Sequence, residues 1–363
     1  MSRRGKGEGS ISQWPDGLWV ARIEIGQDAT GKRRRKAFYG KTKKEVATKL
    51  TNEASARLNG TAFDCGKMTV GDLLNKWLEE SAKPNTAPGT YSGYKSIVDS
   101  YLIPRIGSIK LAALRPLHIQ TMLSALEADE KGARTRQYCY VTLRRAFTIA
   151  LRWQLVGRNP CLGVDPPKIK KRPVVPLTAD QAKALLKSSE GDRFHAVYTL
   201  ALTTGMRQGE LFGLQWDDID LKKGILQVRH SLEEIKGALR LKEPKSDSGK
   251  RQIALPKIAV EALNTRRAKA MTEGLAGCPY VFPDSVGGLL RKCSFHRWSW
   301  SKVRTAAGLD GVHFHDLRHS SASIMLADNV NIKAIQAILG HSTISMTMDT
   351  YAHLMPDAQR QAA

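Results

Sequence analysis

The spacing of apolar residues changes character as the chain proceeds. Near the N-terminus, ISQWPDGLWVARIEIG alternates apolar and polar positions around a Pro-Asp-Gly turn, and DATGKRRRKAFYG carries a second turn into another alternating run. Alternation of this kind predicts the strands of a small sheet. TKKEVATKLTNEASARL then switches to helical spacing, with Thr42 placed to cap it. Trp14, Trp19, Phe38 and Tyr39 are expected to pack the sheet on this helix.

Further on, the pattern is helical throughout. TVGDLLNKWLEES opens with Thr69 as a cap and Asp72 three residues later, and sets Leu73, Leu74, Trp77 and Leu78 on one face. TYSGYKSIVDSYLIPRIG, RPLHIQTMLSALEA and TRQYCYVTLRRAFTIALRWQLV continue the pattern, punctuated by Pro104, Gly107 and Pro116. Trp77, Leu123 and Phe147 read as core. The stretch DPPKIKKRPVVPLT follows, and its four prolines and four basic residues predict an extended linker. Thr178, with Gln181 as its reciprocal partner, starts the next helix. Helices then alternate with three strand-like segments, ILQVRH, GALRLKE and RQIALP, read as a three-stranded antiparallel patch. The pattern as a whole predicts an α+β protein, mainly helical, in three domains. These are a small sheet-plus-helix domain at 1–62, an all-helical domain at 66–165, and a mixed helical domain with a three-stranded antiparallel sheet at 174–363.

Charge narrows the partners. Lys and Arg number 57 against 34 Asp and Glu, a net +23 over 363 residues, which points to a polyanion, nucleic acid first. An anionic membrane is the weaker option, because no apolar run approaches the length of a spanning helix and MSRRGKGEGS lacks a signal-peptide core. A cytoplasmic protein is expected. The five cysteines, Cys65, Cys139, Cys161, Cys278 and Cys293, are odd in number and lack a CxxC pair, so reduced thiols are expected rather than disulfides or a zinc site.

The chemistry concentrates towards the C-terminus. HFHDLRHSSASIMLADNVNIKAIQAILGHSTISMTMDTYAH sets His315 and Arg318 three residues apart on what reads as one helix face, supplies His341 after a Leu-Gly stop, and brings Tyr351 ten residues later. A phosphodiester under in-line attack gathers charge on its non-bridging oxygens, and guanidinium groups match that geometry bidentately. A second Arg is offered by TGMRQGELFGLQWDDID, where Glu210 is placed to hold Arg207 by an ion pair. Tyr351 fits a nucleophile, since a phenol with a pKa of about 10 needs positive charge or a base beside it. Lys245, at the Ser/Asp/Gly turn of LRLKEPKSDSGKRQIALP, fits a proton donor on a hairpin tip, although Lys242 and Lys250 lie on the same hairpin. His313, His315 and His319 also form an HxHxxxH pattern that could suggest a metal, but no Cys or acidic cluster completes a ligand set.

TGMRQGEL, PKSDSGKRQIALP, HDLRH and ILGHSTISMTMDTYAHL, in this order, resemble the tyrosine recombinase (phage integrase) family over roughly the last half of the chain. The resemblance implies that Arg207 and Arg318 clamp the scissile phosphate and that Lys245 is the general acid to the leaving 5′ oxygen. Tyr351 would be the nucleophile that forms a 3′-phosphotyrosine. It further implies His315 as the proton-handling residue, His341 as a second phosphate donor, and Glu210 as a supporting acid. Residues 1–62 are similar to arm-binding domains of integrases, with Arg33, Arg34, Arg35 and Lys36 along a strand suited to a DNA groove. Residues 66–165 resemble the core-binding domain, where Lys95, Arg134, Arg136, Arg144 and Arg145 are candidates to face DNA. By the same resemblance the partners are double-stranded DNA at core and arm sites, a homotetramer on DNA, an excisionase and a host DNA-bending protein. No metal or ATP is expected to be needed. Two rivals stay open at this level: a type IB topoisomerase, and a non-catalytic DNA-binding regulator that would leave the Arg207, His315, Arg318 and Tyr351 set unexplained.

Overall fold

The computed structural model describes residues 9–27, 33–58, 67–170, 172, 175–244, 249–341 and 343. The chain divides into two compact units, Met1–Lys170 and Lys171–Ala363. Among the described residues, no helix is long and apolar enough to cross a membrane.

The first unit opens with an antiparallel sheet of β1 (Ser10–Gln13), β2 (Trp19–Gln27) and β3 (Arg33–Gly40), in that order, covered by α1 (Lys43–Leu58). Thr42 accepts the Glu45 backbone N–H at 3.2 Å and so caps α1. Ala21 and Ile23 of β2 meet Val46 and Leu50 of α1, with Trp19 and Phe38 packed at the edge of this core. Trp14 and Tyr39 do not join it. They are 40% and 49% exposed and pack edge to face on each other, centroids 5.9 Å apart. Phe38 pairs with Ala21 across the sheet, so its neighbour Tyr39 points to the opposite face.

The same unit continues with α2 (Val70–Trp77), α3 (Lys83–Asn85), α4 (Pro88–Ile97), α5 (Ile103–Ile106), α6 (Pro116–Ala128) and α7 (Ala133–Arg152). Widened π-type turns at Leu78–Ala82 and Val98–Leu102 lead into α3 and α5. Thr69 and Asp72 form a reciprocal capping box at the start of α2. Leu73, Leu74, Trp77, Leu123 and Phe147 are all buried in one core. Cys139 and Cys161 lie in it as well, and burial pushes their thiols up to about 11 and about 12.

The second unit is built on α8 (Ala179–Ser188), α9 (His195–Thr204), α10 (Gln208–Phe212), α11 (Lys257–Thr272), α12 (Lys292–Phe295), α13 (Ser301–Ala306), α14 (Asp316–Ala327) and α15 (Ile332–Leu339). Thr178 and Gln181 cap α8 reciprocally. The apolar α9 is buried almost all round, and its Tyr198 stacks on Trp300 and packs against Phe295, which meets Phe314 edge to face. The end of the expected linker is not free of this core. Leu177 is buried in it with its N–H donated to Ser320 Oγ, because an apolar side chain beside a helix start gains more by burial than by extension.

The strands differ from the expected patch. β5 (Ile225–Val228) lies between β4 (Ile219–Asp220) and β8 (Arg251–Ala254), while β6 (Ser231–Ile235) and β7 (Ala238–Lys242) form a separate hairpin. GALRLKE therefore pairs with SLEEI, and not with ILQVRH or RQIALP. The cause is the two-residue turn Lys236-Gly237, both at positive φ (49° and 79°), which closes β6 on β7 with Ile235 opposite Ala238.

Candidate active site

Arg207 and Glu210 sit at the first turn of α10, where the chain leaves α9 through Gly205 at φ 62°. Gly209 lets this turn lie directly on β6, since a Cβ there would come within 2.7 Å of Ser231 Oγ and 2.9 Å of Leu232 O. Glu210 Oε2 accepts the Arg207 backbone N–H at 2.9 Å, and Oε1 accepts Arg207 Nη1 at 2.8 Å. Its carboxylate, 3% exposed, also takes Arg251 Nη2 at 2.9 Å. Burial pushes the Glu210 carboxyl up, but the Arg251 hydrogen bond and charge, followed by Arg207, pull it further down, so it is lowered overall.

Arg318 lies in the first turn of α14 and is 4% exposed. Its Nη1 donates to Gly205 O and its Nη2 to Leu339 O, each at 2.7 Å. One guanidinium thus joins the C-terminal ends of α9 and α15, where the helix dipoles place negative partial charge. α15 closes on Gly340 at φ 67°, with Gly340 N–H donated to Ala337 O and His341 N–H to Gln336 O, the double bond pattern of a Schellman cap. Arg207 Nη2 reaches Gly340 O at 3.2 Å, and Arg251 Nε donates to Ile338 O. Three guanidinium groups therefore hold three successive carbonyls immediately before His341.

His315 is the N-cap residue of α14, but its dihedrals are helical (φ −67°, ψ −24°) and its carbonyl accepts the Arg318 N–H at 3.2 Å, so the two lie on one helical turn. Its loop is shaped by Asp316, whose carboxylate accepts the His313 N–H at 2.8 Å and Arg172 Nη2 at 3.0 Å. The packed surroundings of the His315 ring, then the charge of Arg318, hold its pKa below the usual histidine value, although one side of the residue is open to solvent. His341 is pushed down to about 4 by burial, then by Arg318 and Arg207. Both imidazoles are neutral at pH 7, as is a His whose ionised form would meet fixed guanidiniums. His315 and His319 pack edge to face at 5.4 Å, and His313 is exposed. Among the described residues no group of three or more His, Cys, Asp or Glu could hold a metal ion.

Lys245 and Tyr351 lie outside the described residues. The expected hairpin of GALRLKE with RQIALP does not form; Lys242, on β7, donates to Glu233, and Lys250, just before β8, pairs with Glu243. Arg251 and Asp316 were not expected. Arg251 could have been found from RQIALP, because alternation puts it on the face of Ile253 and Leu255, both buried, and a guanidinium facing a core must be paired.

The candidate DNA-facing residues are spread over the first unit. Arg33 and Arg34 lie opposite Gln27 and Gly26, beyond a bulge, and Arg35 opposite Glu24. Arg35 and Lys36 are exposed, and Lys36 pairs with Glu53 at 2.9 Å. Lys95 of α4 pairs with Asp99 in the π-type turn that follows, and Arg136, largely covered, pairs with Glu127 at 2.6 Å. Arg134, Arg144 and Arg145 line the exposed face of α7. Arg134 lies over Tyr138, and Arg145 donates to Tyr94 Oη while stacking on its ring.

Residues 176–357 match the model of the phage integrase family, and residues 69–126 match the phage integrase N-terminal SAM-like domain. A tyrosine recombinase XerC-like protein of Caldanaerobacter subterraneus subsp. tengcongensis is 28% identical over 365 residues, covering 94% of this chain and 93% of that protein. Among solved structures, the Tn1549 transposon integrase in complex with transposon right end DNA superposes with a TM-score of 0.68 at 25% identity, covering 81% of this chain and 98% of that one. A lambda integrase tetramer bound to a Holliday junction has the same fold, with a TM-score of 0.60 at 20% identity and 96% of each chain covered. With half its length matching the family model and its mainly helical α+β fold shared with these integrases, this chain belongs to the phage integrase family, the tyrosine recombinases that cleave and rejoin DNA strands in site-specific recombination.

Proposed function

We propose that the chain recombines the ends of a phage or other mobile element with a target site through a 3′-phosphotyrosine on Tyr351. The observation that carries the reading is the meeting of Arg207 and Arg318, from separate helices, on the adjacent carbonyls of Gly340 and Leu339, directly before His341. Among the described residues, Arg207 and Arg251 share the buried carboxylate of Glu210 while Arg318 lies on the Gly205 and Leu339 carbonyls, and this positive excess suits the extra charge that a phosphodiester gathers in its transition state.

In the proposed step Arg207 and Arg318 hold the non-bridging oxygens, with His341 as a further donor. The Tyr351 oxygen forms a bond to phosphorus as the bond to the 5′ oxygen breaks. The phenolic proton leaves through His315, neutral at pH 7, and Lys245 delivers a proton to the leaving 5′ oxygen. The engagement of Lys242 by Glu233 supports Lys245 in that role. The 5′ hydroxyl of a partner strand then attacks the phosphotyrosine and restores both the phosphodiester and the phenol. Because the ester retains the energy of the broken bond, the exchange needs no nucleotide.

The domain roles follow the same reading. Residues 1–62, with Arg33, Arg34, Arg35 and Lys36, bind arm sites; residues 66–165 bind the core site through Arg134, Arg144 and Arg145; residues 174–363 carry the chemistry. The working form is a homotetramer on two duplexes in the bacterial cytoplasm, with an excisionase and a DNA-bending host protein setting direction. The lambda integrase tetramer on a Holliday junction supports that stoichiometry. The test is covalent trapping on a nicked suicide duplex selected by the full-length protein from a random pool. The parent protein is expected to form an adduct that survives denaturation, and an adduct of equal yield with Tyr351→Phe would refute the reading.

A further inference from the structure

We propose that Arg251 is a positioning residue for strand cleavage, aligning the phosphate clamp through Glu210 and the end of α15 without touching DNA. The inference rests on Arg207 being part of that clamp.

Arg251 is the first residue of β8, and its side chain is 6% exposed. All three nitrogens of its guanidinium donate. Nη2 and Nη1 donate to Glu210 Oε2 and Oε1 at 2.9 and 3.3 Å, Nη1 also to Gly249 O at 3.2 Å, and Nε to Ile338 O. A buried ion pair of this kind is poor value as a stabiliser, since well-packed apolar side chains of similar volume serve a core as well or better. What it provides is placement. Glu210 Oε1 is shared with Arg207 Nη1, so the plane of the carboxylate fixed by Arg251 sets the plane of the more open guanidinium, which is 40% exposed. The Ile338 carbonyl held by Arg251 is one residue before that held by Arg318 and two before that held by Arg207. One side chain thus joins the strand, the carboxylate and the helix cap on which Arg207, Arg318 and His341 depend, and misplacement of such groups by about 1 Å costs on the order of 100-fold in rate.

The experiment uses the full-length protein and the selected suicide duplex, with either an ordinary phosphodiester or a methylphosphonate at the scissile position. The methylphosphonate is neutral and has less need of aligned guanidiniums. Arg251→Met is expected to cleave the phosphodiester about 100-fold more slowly at saturating DNA, with affinity changed less than about 3-fold, and to come within about 10-fold of the parent on the methylphosphonate. Arg251→Lys, which keeps the charge but cannot bridge three acceptors, is expected to show the same pattern more weakly, and it decides the matter if the Met variant does not fold. Unchanged cleavage of the phosphodiester, or an equal deficit on both substrates, overturns the proposal. Failure of the underlying reading is distinct: the parent would form no adduct, or Tyr351→Phe would form one.

Discussion

Replacing Glu210 by Gln removes one charge from the hub while keeping its shape, and the structure sets the size of the effect. Of its two partners, Arg207 is 40% exposed, where an ion pair contributes about 0–1 kcal/mol. Arg251 is 6% exposed, and breaking a buried pair from one side costs about 3–5 kcal/mol because the other charge is left uncompensated. The second term decides the outcome, and the Gln amide adds to it by turning one N–H towards a guanidinium N–H. For a unit of this size each kcal/mol moves the midpoint by about 2–4 °C, so the transition of the second unit should fall by about 6–20 °C. Calorimetry of the full chain measures it. The sign with pH is fixed as well. The Glu210 carboxyl is lowered in the fold, so its contribution is present above its ordinary 4.5 and is lost on acidification; the gap between parent and variant should close below that pH. A midpoint within about 2 °C of the parent at pH 7 would refute the role of the carboxylate as a buried hub.

Other outcomes follow from the same geometry. Gly205→Ala places a Cβ 2.4 Å from Leu339 Cδ2 at φ 62°, and should cost about 1–2 kcal/mol of backbone strain plus about 1–3 kcal/mol of overpacking in urea unfolding; a loss below about 0.5 kcal/mol would contradict it. His315 and His341 are held neutral, and a phosphate set among them raises their affinity for protons, so core-site DNA should bind more tightly as pH falls from about 7.5 to about 5.5. A His341→Gln protein with the parent's pH slope would count against that site. Arg145→Ala should reduce the slope of log Kd against log salt by about 0.9, the value of one phosphate contact, and an unchanged slope removes Arg145 from the interface.

Local signals were readable before any coordinates. Thr69 with Asp72 and Thr178 with Gln181 are capped as their spacing indicates, because a capping box is decided within four residues. The ion pair of Arg207 with Glu210 and the stop at Gly340 before His341 are of the same kind. Pairings between distant segments were harder. GALRLKE has strand character, but nothing in it says which strand it joins; the Lys236-Gly237 turn does, through a positive φ that Lys seldom adopts. Trp14 and Tyr39 show the same limit, since alternation sorts residues into two faces without saying which face receives the helix. Arg251 differs in kind: its charge suggests a surface position, while its strand register turns it inward with Ile253 and Leu255.

The grip of Arg172 on Asp316 and on the Gly311 carbonyl has a mechanical side. Arg172 belongs to the chain that enters this unit, and Asp316 anchors the loop that presents His315. Losing the Arg172 side chain would loosen the loop that carries an imidazole while leaving the helices of the core in place.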